Sequence, residues 1–171
     1  MIRSAVVASL LLVAACQRVA DLPPQDESDS ETRGQEQRYV LGTTEGEEVS
    51  AGTMRGRVTA LIFVTTFDLA SQLAAKQLNQ ALHTHVPRIN VAAIVLEAPK
   101  YAPLADVFRS SLKLSYPVAI ADLELLSRNS TLGEVRSVPT LIILDKHSRE
   151  VSRHYGAFSN EELDDWLTRA Q

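Results

Sequence analysis

Val58-Thr59-Ala60-Leu61-Ile62-Phe63-Val64-Thr65 is a near-continuous apolar run, and Thr66-Phe67-Asp68-Leu69-Ala70-Ser71 follows it at once. Eight residues is strand length, and β-branched and aromatic residues dominate, so the run predicts a central strand buried on both faces. Beyond it, Leu69, Leu73, Leu78 and Leu82, supported by Ala70, Ala74 and Ala81, recur at approximate helical spacing. They predict an amphipathic helix running to about His85.

The pattern repeats downstream. Ile89 to Leu96 reads as a second buried strand, and Leu104, Val107, Phe108 and Leu112 as a second amphipathic helix. Strand, helix, strand and helix in that order imply a parallel sheet with right-handed crossovers. Tyr116 to Ala121 is short and apolar, Asp122 to about Gly133 is helical or irregular, and Thr140 to Leu144 is a strand. Glu150 to Tyr155 alternates after a turn at Asp145 to Ser148, so it pairs antiparallel with the strand before it. Ser159-Asn160-Glu161-Glu162 has the form of a capping box and opens a last helix with Leu163, Trp166 and Leu167 on one face. Upstream, Tyr39-Val40-Leu41 and Glu45 to Val49 read as two short strands around a glycine turn. The fold class is α/β, a sandwich with mixed strands occupying residues 39–171, and these 133 residues suffice for one sizeable core.

The remaining N-terminal residues have another character. Met1-Ile2-Arg3-Ser4 carries a positive charge, Ala5 to Ala15 is apolar except for Ser9, and Val13-Ala14-Ala15-Cys16 ends the run. Eleven helical residues rise only about 16 Å, roughly half the hydrocarbon core, so residues 1–15 read as a signal peptide and not as a span. The small residues before Cys16 resemble a bacterial lipobox. That resemblance implies a thiol joined to diacylglycerol, whose two acyl chains meet the requirement for stable anchoring in a lipid bilayer. Residues 16–38 then comprise the lipidated cysteine and an acidic linker; from Gln17 to Arg38 it holds six acidic and three basic side chains and two adjacent prolines. Such composition predicts disorder, and a flexible coil of this length has a root-mean-square span of roughly 25 Å.

Composition narrows the function classes. The chain has 171 residues, 45% hydrophobic and 22% charged, with a net charge of -4 and a single cysteine. One cysteine excludes a disulfide scaffold, a CxxC pair and a cysteine-ligated zinc or iron-sulfur site. No basic stripe runs through the sequence, which argues against a nucleic-acid partner. Nothing in the residues calls for a cofactor.

The element order and three local motifs resemble the thioredoxin fold, specifically the TlpA and ResA type of thiol-disulfide reductase (redoxin) family. The first is YVLGTTEGEEVSAGTMRGRVTALIF, with its Arg55-Gly56-Arg57 turn leading into the strand before the active site. The second is Ser137-Val138-Pro139-Thr140, preceded by Leu132-Gly133-Glu134-Val135, which resembles the segment bearing that family's cis-proline. The third is Leu141 to Lys146 followed by Glu150-Val151, similar to its closing hairpin. The resemblance implies a thioredoxin-like three-layer sandwich with a central mixed β-sheet and an N-terminal β-hairpin. It also implies a backbone edge at Val138 that is offered to an extended peptide.

At the centre the sequence departs from that pattern. Where such proteins carry two cysteines, this chain carries Asp68 and Ser71. Disulfide exchange needs an attacking thiolate and a resolving thiol, and peroxidase chemistry needs a peroxidatic cysteine; neither residue supplies one. An aspartate at a helix start instead accepts from unpaired backbone N-H groups and favours the positive end of the macrodipole. Asp68 is therefore expected to cap its helix, with Ser71 near the third helical position.

Other candidates have plainer readings. His83 and His85 are two apart and point about 200 degrees apart on a helix, so they do not share a metal, and with His147 and His154 they read as surface residues. Asp68 and Glu97 both belong at the carboxyl ends of strands, where α/β sites gather, and would be the pair for acid-base chemistry. Three functions follow as expectations: a redox-inactive, membrane-anchored module that binds a periplasmic or surface protein through Phe67, Asp68, Val138 and Pro139; an oxidoreductase that works with a partner's cysteines; and a metal or small-ligand carrier. The first is preferred, with no catalytic residue and no metal site assigned.

Overall fold

A computed structural model describes residues 33–127 and 130–171. The expected signal peptide, Cys16 and the linker up to residue 32 lie outside the described residues. Among the described residues, no helix is long and apolar enough to cross a membrane.

The run that opened the sequence reading is the middle of the sheet. Strand β3 (Thr59–Val64) follows a hairpin of β1 (Val40–Gly42) and β2 (Glu48–Ser50) and a single helical turn, α1 (Ala51–Met54). After β3 come α2 (Leu69–Thr84), β4 (Asn90–Val95), a 3-10 turn at Pro99–Tyr101, α3 (Ala102–Leu112), β5 (Val118–Ile120) and α4 (Leu123–Leu126). The chain closes with β6 (Thr140–Leu144), β7 (Glu150–Tyr155) and α5 (Asn160–Arg169). The five-stranded order is β5-β4-β3-β6-β7, with β3, β4 and β5 parallel and β6 and β7 antiparallel to their neighbours. This is the mixed sheet with an N-terminal hairpin that the sequence implied.

Every residue of β3 is buried because both faces of the sheet are covered. Ala60, Ile62 and Val64 meet Ala74, Ala75 and Leu78 of α2, Phe108 of α3, and Leu163 and Leu167 of α5. Leu61 and Phe63 point the other way, into a second cluster with Tyr39, Leu41 and Val49 of the hairpin, Leu125 of α4, and Leu132. The three layers are therefore helices, sheet, and hairpin with a short helix.

Several expectations need correction. The buried stripe of α2 is Ser71, Ala74, Ala75 and Leu78, whereas Leu69 and Leu73 face solvent at 78% and 52% exposure. Two overlapping stripes have helical spacing, and the one with small alanines wins because it lets the helix approach the sheet closely. Val107 of α3 is likewise exposed, and Ala105 takes its place in the core. Residues 33–38, assigned by composition to the linker, lie along the closing hairpin. Arg33 forms a backbone β-bridge with Glu150 and Glu36 one with Arg149, and the N-H of Gln37 donates to the Ser148 carbonyl at 2.8 Å. Polar residues can extend a sheet edge through backbone bonds alone, which composition does not register.

Nor does β7 alternate strictly. A register shift between Ile143 and Leu144 puts Glu150 and Arg153 inside together. Two of the four histidines are not surface residues. His85 is buried, with Nδ1 2.9 Å from Asp164 Oδ1, and ties the end of α2 to α5. His154 stacks on Trp166 with ring centroids 3.4 Å apart. Burial, followed by the nearby Arg33 charge, lowers its pKa to about 4, with Glu162 opposing.

Candidate functional site

Phe63 of β3 pairs with Thr140 of β6, so the loop leaving β3 and the loop entering β6 emerge side by side. The first carries Thr65 to Asp68, the second Ser137 to Pro139, and the segments after β4 and β5 reach the same end of the sheet because those strands run parallel to β3. This is the end where α/β proteins gather their ligand sites.

Asp68 does what a helix start requires. Its backbone is extended, its Oδ2 accepts from the Ser71 N-H at 2.7 Å, and its carbonyl accepts the first helical bond from Gln72. Hydrogen bonding from the Ser71 side chain, then from its backbone, holds the Asp68 carboxyl below the usual carboxylate range. Ser71 is fully buried, and its hydroxyl accepts from the Thr65 N-H at 3.4 Å. The pair thus closes the β3–α2 loop on itself.

A second clamp was not anticipated. Both the backbone N-H and the hydroxyl of Thr66 donate to Glu97 Oε1, at 2.5 and 2.7 Å, tying the loop after β3 to the end of β4. Gln72 Nε2 donates to the Thr66 carbonyl at 3.0 Å. Glu97 Oε2 is buried with no hydrogen-bond partner among the described residues. The two carboxylates weighed for acid-base chemistry serve different bonds, Asp68 to Ser71 and Glu97 to Thr66. A threonine flanking the expected cap was the available signal, but only the parallel register of β3 and β4 reveals its partner.

Opposite Asp68, the peptide bond between Val138 and Pro139 is cis. Pro139 is buried and its carbonyl accepts from the Gly156 N-H at 2.8 Å, while the Thr140 hydroxyl donates to the Ser137 carbonyl at 2.6 Å. Neither backbone group of Val138 is hydrogen-bonded among the described residues. The approach to this loop is held from below by Arg153. Its Nε and Nη2 donate to the two carboxylate oxygens of Glu150 at 2.9 and 2.8 Å, and Nη2 and Nη1 donate to the carbonyls of Leu132 and Glu134 at 2.6 and 3.2 Å. An arginine and a glutamate three apart in an edge strand gave no sequence signal, because a regular strand would place them on opposite faces.

The rim is apolar. Phe67 and Leu69 are each 78% exposed, and Tyr101 and Leu123 on the neighbouring loops are exposed as well. The other histidine candidates go to separate partners: His83 to Ser115, His85 to Asp164, His154 to Ser152. Among the described residues no three His, Cys, Asp or Glu side chains converge.

No family model matches the sequence, and no curated protein matches it. Solved structures do. A thiol:disulfide interchange protein of the thioredoxin family from Chlorobium tepidum superposes with a TM-score of 0.66 at 17% identity, covering 81% of this chain and 96% of that one. StoA from Bacillus subtilis gives 0.59 at 20% identity, over 75% and 94% of the two chains. The exposed lipoprotein thioredoxin Etrx1 of Streptococcus pneumoniae gives 0.63 at 17% identity, over 77% and 98%. With its parallel β3-β4-β5, antiparallel β6 and β7, N-terminal hairpin and flanking helices, the chain has the thioredoxin-like fold.

Proposed function

We propose that this chain is a lipid-anchored, redox-inactive member of the thioredoxin-like group that binds an extended peptide segment of a protein partner in a bacterial cell envelope. The observation that carries the reading is the unsatisfied backbone of Val138, set beside the exposed Phe67 at one end of the sheet. An extended chain adds to such an edge through main-chain hydrogen bonds, and apolar neighbours supply contact area. Phe67, Asp68, Val138 and Pro139 form the docking rim, with Asp68 already engaged by Ser71.

Redox inactivity rests on chemistry. Exchange requires a thiolate, and the one cysteine of this chain is Cys16, which the proposal assigns to the lipid anchor. Asp68 and Ser71 stand in for the reactive pair and conserve the helix start in its place. The similar pneumococcal protein is named as an exposed lipoprotein, in keeping with an anchored thioredoxin-like domain.

Selection of extended peptides from a displayed library tests the reading. Selected peptides should bind the parent chain and lose at least ten-fold in affinity to Val138→Arg and to Phe67→Ser, with the denaturant midpoint unchanged. Peptides that bind both variants as well as the parent would refute it.

A further inference from the structure

The opposite end of the sheet has a different chemistry. Thr59 pairs with Asn90 and with Leu144, and Leu144 with Glu150, so these four residues form its last rung. Just beyond the rung lie Arg55 and Arg57 before β3, Arg88 before β4, and Lys146 and Arg149 in the β6–β7 turn, all exposed. The Gly56 N-H donates to the Lys146 carbonyl at 3.0 Å, which joins the first and last of these loops; Gly56 manages this turn at φ +97. Arg57, Arg88 and His83 line one shallow hollow.

Few anions oppose these cations. Arg55 is paired with Glu36, and Asp145 accepts from the backbone N-H groups of His147 and Arg149 within its own turn. Arg57, Arg88, Lys146 and Arg149 form no ion pair among the described residues. Five cations thus stand against three carboxylates, Glu36, Asp145 and the Asp164 that meets His85 at the end of α2, in a chain whose net charge is -4. The carbonyl ends of α2 and α3 also finish here, and their partial charges, about half a unit each, leave the surface cationic. The Val138 end carries instead Asp68, Glu97, Asp122, Glu124 and Glu134, against Lys100 and Arg136. The basic residues are scattered over 95 positions of sequence, from Arg55 to Arg149, so only the fold assembles them.

The polypeptide also enters the domain at this end. The backbone of Arg33 forms a parallel β-bridge with Glu150 on the last rung. Cys16 is 17 positions upstream, a stretch that reaches at most about 60 Å.

We infer that the Arg55, Arg57, Arg88, Lys146 and Arg149 face lies against anionic phospholipid headgroups and so turns the Val138 end away from the bilayer. The inference rests on the anchoring reading for its setting. A lipid at Cys16 would hold the face where headgroup charge, screened over about 8 Å, is felt. Each exposed cation near an anionic surface contributes a factor of about five to binding, and guanidinium groups fit phosphate oxygens in pairs.

The test uses the chain from Gln17 onward, which contains every described residue but lacks Cys16, so its outcome does not depend on lipidation or on peptide docking. Co-sedimentation is measured with vesicles of phosphatidylglycerol and phosphatidylcholine, and with phosphatidylcholine alone. Binding should favour the anionic vesicles at least ten-fold and vanish at high salt. The triple variant Arg57→Gln/Arg88→Gln/Lys146→Gln should bind about 100-fold less with an unchanged denaturant midpoint. Equal binding to both vesicles, indifference to the triple variant, or equally tight binding of duplex DNA at the same salt would overturn the inference. So would vesicle binding seen only after Asp26, Glu27, Asp29 and Glu31 are neutralised, which would assign the face to that acidic stretch.

Discussion

Replacing Arg153 with methionine should be among the most destabilising single changes available in this chain. The guanidinium side chain is 2% exposed and its Glu150 partner 0%, joined by two parallel hydrogen bonds at 2.9 and 2.8 Å. Arg153→Met leaves a buried carboxylate without its counter-charge, which costs about 3 to 5 kcal/mol. It also withdraws the donors from the carbonyls of Leu132 and Glu134. Against a total of about 5 to 15 kcal/mol, that loss brings the domain close to unfolding. The double variant Glu150→Met/Arg153→Met removes both charges and should recover at least half of the loss, leaving a residue of about 2 kcal/mol from the carbonyls alone. Arg153→Lys keeps the charge without the fork and should fall between the two. Urea denaturation followed by Trp166 fluorescence measures all three. An Arg153→Met variant within about 1 kcal/mol of the parent would refute the reasoning, because it would mean that the pair is solvated or already dispensable.

Two further predictions concern capping and acid stability. Asp68→Ala should cost about 1 kcal/mol and Asp68→Asn less, since asparagine also accepts from the helix N-H groups; equal midpoints for parent and Asp68→Ala would remove the capping account. Because the folded pKa of Asp68 is lowered, this stabilisation is present above the unfolded carboxylate value and is lost as pH falls through the folded one. His154 acts over a higher range: with a folded pKa of about 4 against 6.5, the unfolded chain alone takes up a proton as pH falls from 6.5 to 4, and stability declines. The loss should approach about 2 kcal/mol, allowing for the ring's partial solvent contact, and His154→Phe should flatten that part of the pH profile while keeping the stack on Trp166.

What was legible in the sequence was whatever burial dictates by composition. Val58 to Thr65 read as a central strand and Thr140 to Leu144 as a strand, and Ser159 with Glu162 formed the capping box it spelled. Asp68 was legible as a cap because a single side chain and its own helix suffice to define one. Faces were harder. Leu69 and Leu73 have the spacing of a core stripe yet face solvent, since periodicity cannot say which of two adjacent stripes meets the sheet. Long-range polar pairing was not legible at all: Thr66 with Glu97, Arg153 with the Leu132 carbonyl, and Gln37 with Ser148 each depend on strand register. The cationic end belongs to the same class, being a property of which loops the topology gathers.

The central claim, binding without thiol chemistry on a thioredoxin-like fold, is tested most directly by insulin reduction with dithiothreitol as electron donor. The chain from Gln17 onward should give no turnover above the uncatalysed rate. The Asp68→Cys/Ser71→Cys variant, which places two thiols at the N-terminus of α2, should gain measurable turnover and so show that the assay suits this scaffold. Turnover by the chain from Gln17 onward, which holds no cysteine, would contradict the account.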